Sequence, residues 1–153
     1  PAPATGGGPI VTVLSRPQGD GPVLSGLDVL ARDNFQRLAG KRVGLLVNQN
    51  AIDRQGRHAL DLMVGHPNVN VVRVFSPEHG LFGNVDTKVE DFVETRTKLQ
   101  IISLYSKKRT VGPNRLGVLP GDLNGVDIVV CDMQDIGARF YTYPAYVGVM
   151  MEG

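Results

Sequence analysis

The chain has 153 residues, 42% hydrophobic and 20% charged, with 16 basic side chains against 15 acidic and a net charge of +1. That length suits about one domain of ordinary globular composition, and the charge balance argues against a nucleic-acid partner. No apolar stretch approaches the roughly 20 residues a membrane-spanning helix needs.

Residues 1–22 hold ten Gly or Pro residues and little periodic pattern apart from Ile10–Leu14, which predicts a flexible leader with at most a short edge strand. The domain proper is expected over 23–153. Apolar positions 27, 30, 31, 35 and 38 fit one face of a helix over Leu27–Leu38, stopped by Gly40. A first strand follows at Val43–Val47, ending at Asn48. A second helix fits Arg57–Val64, and a second strand Val69–Phe75. Residues 84–98 show no clean period and read as a long loop or irregular flap. Gln100–Tyr105 makes a third strand, and Lys107-Lys108-Arg109 reads as a solvated basic loop. Gly117 and Pro120 argue against a regular helix between Asn114 and Leu123. Val126–Cys131 is the fourth strand. Cys131, the lone cysteine, is expected as a buried, inert thiol. From Tyr141 onward a helical stripe begins, with Tyr143, Tyr146, Val147, Met150 and Met151 in phase.

Continuous Val/Ile runs of this kind are the mark of strands buried on both faces of a parallel sheet. Two of them run straight into polar segments, Ser76-Pro77-Glu78-His79-Gly80 and Asp132-Met133-Gln134-Asp135-Ile136-Gly137-Ala138-Arg139-Phe140-Tyr141. Ligands of open α/β sheets sit beyond the carboxyl ends of the strands, so both segments should open into one cleft. The spacing thus predicts Asn48, Glu78, Tyr105 and Asp132 along one sheet edge. The final helix has nothing after it to pack against, and the chain reads as the front part of a longer protein.

Those two segments, the second continued through Thr142-Tyr143, with Gly26-Leu27-Asp28-Val29-Leu30, Gly40-Lys41-Arg42-Val43-Gly44-Leu45 and Ser103-Leu104-Tyr105, occur in an order and spacing that resemble the amino-terminal half of the NamZ-type exo-β-N-acetylmuramidases. The resemblance covers residues 24–152. It implies a Rossmann-like α/β lobe, a mainly parallel sheet flanked by helices, continued by a smaller second lobe across an active-site cleft. It also implies removal of terminal N-acetylmuramic acid from the non-reducing end of peptidoglycan fragments, with muropeptides or disaccharides as partners. The family's setting is secreted, periplasmic or lipid-anchored and bacterial, and the Glu matching Glu78 carries the catalytic role. Without the second lobe, weak activity or none is expected. Three places depart from the pattern: Phe82, Ser106 and the stretch Asp86-Thr87-Lys88-Val89.

The residues themselves agree with a glycosidase. Glycoside hydrolysis uses two carboxyls across the scissile bond, one of them an acid of raised pKa. Glu78 sits between a stiffening Pro77 and a permissive Gly80, where His79 could tune it. Asp132 and Asp135 are candidates for the second carboxyl, although Asp135 could equally cap a turn or pair with Arg139. The substrate's own 2-acetamido group is a further candidate, as internal nucleophile. Arg139 matches a carboxylate in two-pronged geometry, which suits the lactyl group of muramic acid; an ion pair to Asp135 or Asp132 is the structural alternative. Tyr105, Tyr141 and Tyr143 would stack on sugar faces or pack in the core. Asn48 would donate to a sugar hydroxyl or close a turn, and Gln134 completes the binding set.

Other classes compete. A nucleotide or sugar-phosphate module lacks its Gly-x-Gly-x-x-Gly after the first strand. A metal hydrolase would use Glu78, His79, His58 or His66 with Asp132, but no ligand spacing supports it, and no metal or cofactor is expected. A non-catalytic carbohydrate-binding lobe is the remaining alternative.

Overall fold

A computed structural model describes residues 21–111 and 115–152; the expected leader lies outside the described residues up to residue 20. In chain order the elements are α1 (Gly26–Arg32), β1 (Arg42–Val47), α2 (Ala59–Met63), β2 (Asn70–Ser76), β3 (Phe92–Val93), β4 (Gln100–Ser103), β5 (Thr110–Val111), β6 (Arg115–Leu116), β7 (Ile128–Asp132) and α3 (Tyr143–Glu152). Five strands form one sheet in the order β3-β4-β2-β1-β7, with β5 and β6 paired separately. The pairings among β4, β2, β1 and β7 are parallel; only the edge strand β3 runs antiparallel. The expected mainly parallel α/β sheet is therefore present. Its parallel strands read third, second, first, fourth across the sheet. That is the doubly wound order, which reverses between β1 and β7 and leaves a crevice there.

Alternation along β1 explains why its sequence is apolar throughout. Val43, Leu45 and Val47 enter one core with Leu27, Leu60 and Met63 from α1 and α2. Leu46 points the other way, to Phe75, Ile102 and the α3 side chains Tyr143, Tyr146 and Met150. Each fully buried Leu or Phe contributes about 1.5–3 kcal/mol. Gly44 has a steric role in this second core. A Cβ there would sit 3.2 Å from Val126 and 3.3 Å from the Phe75 ring, tighter than a packed interior accepts without movement.

The first helix is shorter than its periodicity suggests. It stops at Arg32 because Asn34 and Phe35 are left-handed, at φ 55° and 52°. The Phe35 N–H returns to the Leu30 carbonyl at 2.8 Å and the Asn34 N–H to Ala31 at 3.0 Å, a Schellman closure with Asn in the place usually given to Gly. Phe35 and Leu38 are buried all the same, through a short 3-10 turn over Gln36–Leu38. At the other end, Ser25 and Asp28 form a reciprocal capping box. The second helix starts two residues later than expected, at Ala59, because His58 is its cap.

Two buried-or-exposed expectations are corrected. Cys131 is exposed, because among the described residues β7 is an outer strand of the sheet. Lys107 and Lys108 are solvated. Arg109 is not: it is 3% exposed and ion-paired to Asp122 and Asp91.

Candidate active site

Register brings the chemistry to one edge. Val47 stands opposite Asp132, Leu46 opposite Phe75 and Ser76 opposite Ser103. The strands thus finish level, and Asn48, Glu78, Tyr105 and Asp132 all follow or form their carboxyl ends.

Glu78 lies on the turn that leaves β2. The Gly80 N–H closes it on the Pro77 carbonyl at 3.1 Å, and two successive left-handed residues, His79 at φ 68° and Gly80 at φ 75°, reverse the chain. Such a conformation is costly for a histidine and concentrates at functional turns. Buried Pro77, Gly80 and Leu81 pin the turn to the core and leave Glu78 half-buried. Its carboxylate takes a hydrogen bond from a hydroxyl: Thr142 Oγ1 donates to Oε2 at 2.8 Å. Interaction with the same carboxylate holds the Tyr105 hydroxyl pKa above its usual value. The Tyr143 hydroxyl reaches the Glu78 main-chain carbonyl at 3.5 Å. Tyr146 is buried beneath, its hydroxyl without a hydrogen-bond partner; burial first, then the Glu78 charge, push its pKa up.

His79 does not turn toward Glu78. Its Nδ1–H donates to the Val85 carbonyl at 3.1 Å, and the same nitrogen lies 3.4 Å from the Asp86 carboxylate. It clips the following flap instead of touching the acid.

Asn48 is fully buried. Its Oδ1 accepts from the Asn50 N–H at 3.0 Å, which closes the turn, while Nδ2 has no partner. Its carbonyl accepts from His58 Nε2–H at 2.8 Å, and His58 Nδ1 accepts from the Leu60 N–H at 3.1 Å. Both bonds are met by one neutral tautomer, so His58 ties the end of β1 to the start of α2.

Asp132 ends β7 with Oδ2 enclosed and unpartnered. Burial raises its pKa, opposed by the nearby His58. Its carboxyl lines a largely apolar hollow of about 450 Å³ against α1, with Leu27, Met63 and Val130. Glu78, by contrast, is held from the α3 side.

The segment between β7 and α3 carries the remaining candidates. Asp135 Oδ1 accepts from the Ile136 N–H at 2.8 Å, and the exposed Gln134 side chain reaches the Asp135 carbonyl at 3.4 Å. Arg139 is exposed and forms no ion pair among the described residues; the pairing with Asp135 or Asp132 that its spacing allows is not made. Asp135, Arg139, Tyr141 and Pro144 line one open hollow of about 480 Å³. Tyr141 packs edge-on against Tyr143, with ring centres 4.6 Å apart. Among the described residues no three His, Cys, Asp or Glu side chains gather as a metal site, and no helix is long and apolar enough to cross a membrane.

Thr142 and Tyr146 take positions at the site that the sequence alone does not assign. Thr142 lies within the motif that runs from Asp132 through Tyr143, but one hydroxyl among many polar side chains points to no task of its own. Tyr143, a sugar-stacking candidate by sequence, and Tyr146 both have their rings buried in the core, so only their hydroxyls reach the site.

A doubly wound sheet with a hydroxyl-bound carboxylate at its carboxyl edge defines an α/β protein whose ligand cleft lies along that edge. Residues 43–153 match the family model described as exo-beta-N-acetylmuramidase NamZ, N-terminal, and the chain belongs to that family. It is 32% identical over 132 residues to the peptidoglycan beta-N-acetylmuramidase NamZ of Bacillus subtilis, covering 85% of this chain and 30% of that protein. Crystal structures of two DUF1343 family proteins from Bacteroides fragilis are similar. One has a TM-score of 0.71 at 38% identity, covering 84% of this chain and 30% of its own. The other has a TM-score of 0.59 at 28% identity, covering 85% and 30%. The chain thus spans about a third of the length of these relatives.

Proposed function

We propose that this chain forms the catalytic-edge lobe of a peptidoglycan glycosidase that releases terminal N-acetylmuramic acid from the non-reducing end of muropeptides or disaccharides. Family membership supports the glycosidase class. The observation that carries the assignment to a residue is the Glu78 carboxylate, half-buried at the sheet edge and aimed by the Thr142 hydroxyl. In this reading Glu78 delivers a proton to the glycosidic oxygen as the bond breaks. Asp132, Asp135 or the substrate's 2-acetamido oxygen meets the developing positive charge on the sugar. Arg139 reads the lactyl carboxylate that distinguishes muramic acid from glucosamine, and Asn48, Gln134, Tyr105 and Tyr141 line the sugar path. His79 supports the flap. A peptidoglycan substrate lies beyond the cytoplasmic membrane, so the protein works secreted, in the periplasm or on a lipid anchor.

The test is Glu78→Gln in the full-length protein, which preserves shape and removes the titrating acid. Release of N-acetylmuramic acid from its β-1,4 disaccharide with N-acetylglucosamine should fall at least ~100-fold. An aryl glycoside, whose phenolate leaves without protonation, should lose much less. Unchanged turnover of the disaccharide would reject the assignment. Full activity in both Asp132→Asn and Asp135→Asn would leave the acetamido group as the internal nucleophile.

A further inference from the structure

We propose that Thr142 is a positioning residue for Glu78, a role that rests on the reading of Glu78 as the reacting carboxyl. A glutamate on a turn has a flexible side chain and no strand or helix to direct it. Thr142 supplies the direction from 64 residues away, donating to Oε2 at 2.8 Å. Its mounting is rigid. The Thr142 carbonyl accepts the Ala145 N–H at 3.0 Å at the start of α3, the adjacent Tyr143 and Tyr146 rings are buried in the core, and a β-branched side chain has few rotamers. The same corner reaches the Glu78 backbone through the Tyr143 hydroxyl.

The kind of partner matters as much as the distance. Most carboxylates with a structural task here are met by cations or backbone amides, and where a hydroxyl joins in, as Ser25 does at Asp28 and Thr97 at Glu94, backbone N–H groups accompany it. Asp127 has the Arg42 side chain and N–H, Asp53 has Arg57 and two backbone N–H groups, and Asp122 has Arg109 and the Leu119 N–H. Glu78 takes the Thr142 hydroxyl. A neutral hydroxyl directs a carboxyl without pairing its charge.

The experiment compares Thr142→Val, Thr142→Ser, Glu78→Gln and the Glu78→Gln/Thr142→Val double variant on the same disaccharide, all in the full-length protein. Val keeps the shape and loses the donor. It should lower kcat about 10- to 100-fold, the scale of a misplaced reacting group, while KM moves less than about 3-fold. Ser restores the hydroxyl and should return kcat to within about 3-fold of wild type. In the Glu78→Gln background the Val change should add less than about 2-fold, because a residue acting through Glu78 has nothing left to act on. Wild-type kcat in Thr142→Val, equal losses in Val and Ser, or a full Val loss on top of Glu78→Gln would each overturn the proposal. If Thr142→Val does not fold, Thr142→Ala takes its place in the same cycle with Thr142→Ser as the rescue, and additivity with Glu78→Gln overturns the proposal. Full activity in Glu78→Gln alone would instead overturn the assignment of Glu78, and the proposal with it.

Discussion

Arg139 and His79 are neighbours of the reaction by sequence, and their partners assign them different tasks. His79 spends its Nδ1–H on the flap, so its position next to Glu78 in the chain does not become contact in space. Arg139 keeps its guanidinium free of ion pairs among the described residues and borders the same hollow as Tyr141. A planar fork binds a carboxylate in a way that a lysine ammonium cannot reproduce. Arg139→Lys should therefore reduce kcat/KM on N-acetylmuramic acid substrates by about 1.5 kcal/mol, the low end for a charged hydrogen bond at an exposed position. The N-acetylglucosamine analogue, which lacks the lactyl group, should change little. Parallel kinetics on the two sugars check this, and equal losses on both would remove Arg139 from recognition.

At the scale of an element, the β3–β4 turn shows a carboxylate used purely to hold structure. Glu94 accepts from Thr97 Oγ1 at 2.7 Å, from the Thr97 N–H at 2.8 Å and from the Arg96 N–H at 3.1 Å. These bonds, the Thr97 hydroxyl foremost, hold its pKa down to about 2 from the usual 4.5. The folded turn therefore binds its proton less readily than the unfolded chain does. Its contribution to stability is complete above about pH 4.5 and is lost as pH falls toward about 2. Glu94→Gln should melt at a lower temperature than wild type at neutral pH, and the gap should narrow as the buffer is taken from about pH 5 to pH 2.5. Melting curves that stay equally far apart across that range would assign the loss to packing alone.

At the scale of the molecule, Arg109 joins parts of the chain that the sheet does not. It lies after β4 and reaches Asp91 at 3.1 Å, ahead of β3, and Asp122, in the turns before β7. Asp91 in turn accepts the Ser103 N–H at 2.9 Å, so the pair locks the flap to β4. Arg109→Met would keep the apolar stem and strand two carboxylates. Breaking an enclosed ion pair from one side costs about 3 kcal/mol, to be read as a lower urea midpoint with unchanged slope. A midpoint equal to wild type would show that water replaces the guanidinium freely.

Much of this was legible from residues alone. Apolar runs with turn signals between them specify buried parallel strands, because a strand covered on both faces has no solvent side to mark with polar residues. The placing of Asn48, Glu78, Tyr105 and Asp132 on one edge follows from that, since parallel strands all end on the same side. The end of the first helix was not: Asn34 takes the left-handed place usual for Gly, but the apolar spacing continues through Phe35 and Leu38 and reads as one helix up to Gly40. Three things belong to the tertiary structure. The exposure of Cys131 depends on β7 being an edge, and strand order is not written in any one strand. The burial of Arg109 depends on two carboxylates arriving from distant loops. The grip of Thr142 on Glu78 spans 64 residues and depends on where α3 begins. Local pattern is set by neighbours within a few residues, so it reaches the strands, the turns and the edge. Which hydroxyl meets which carboxylate is decided only when the packed sheet brings separate loops together.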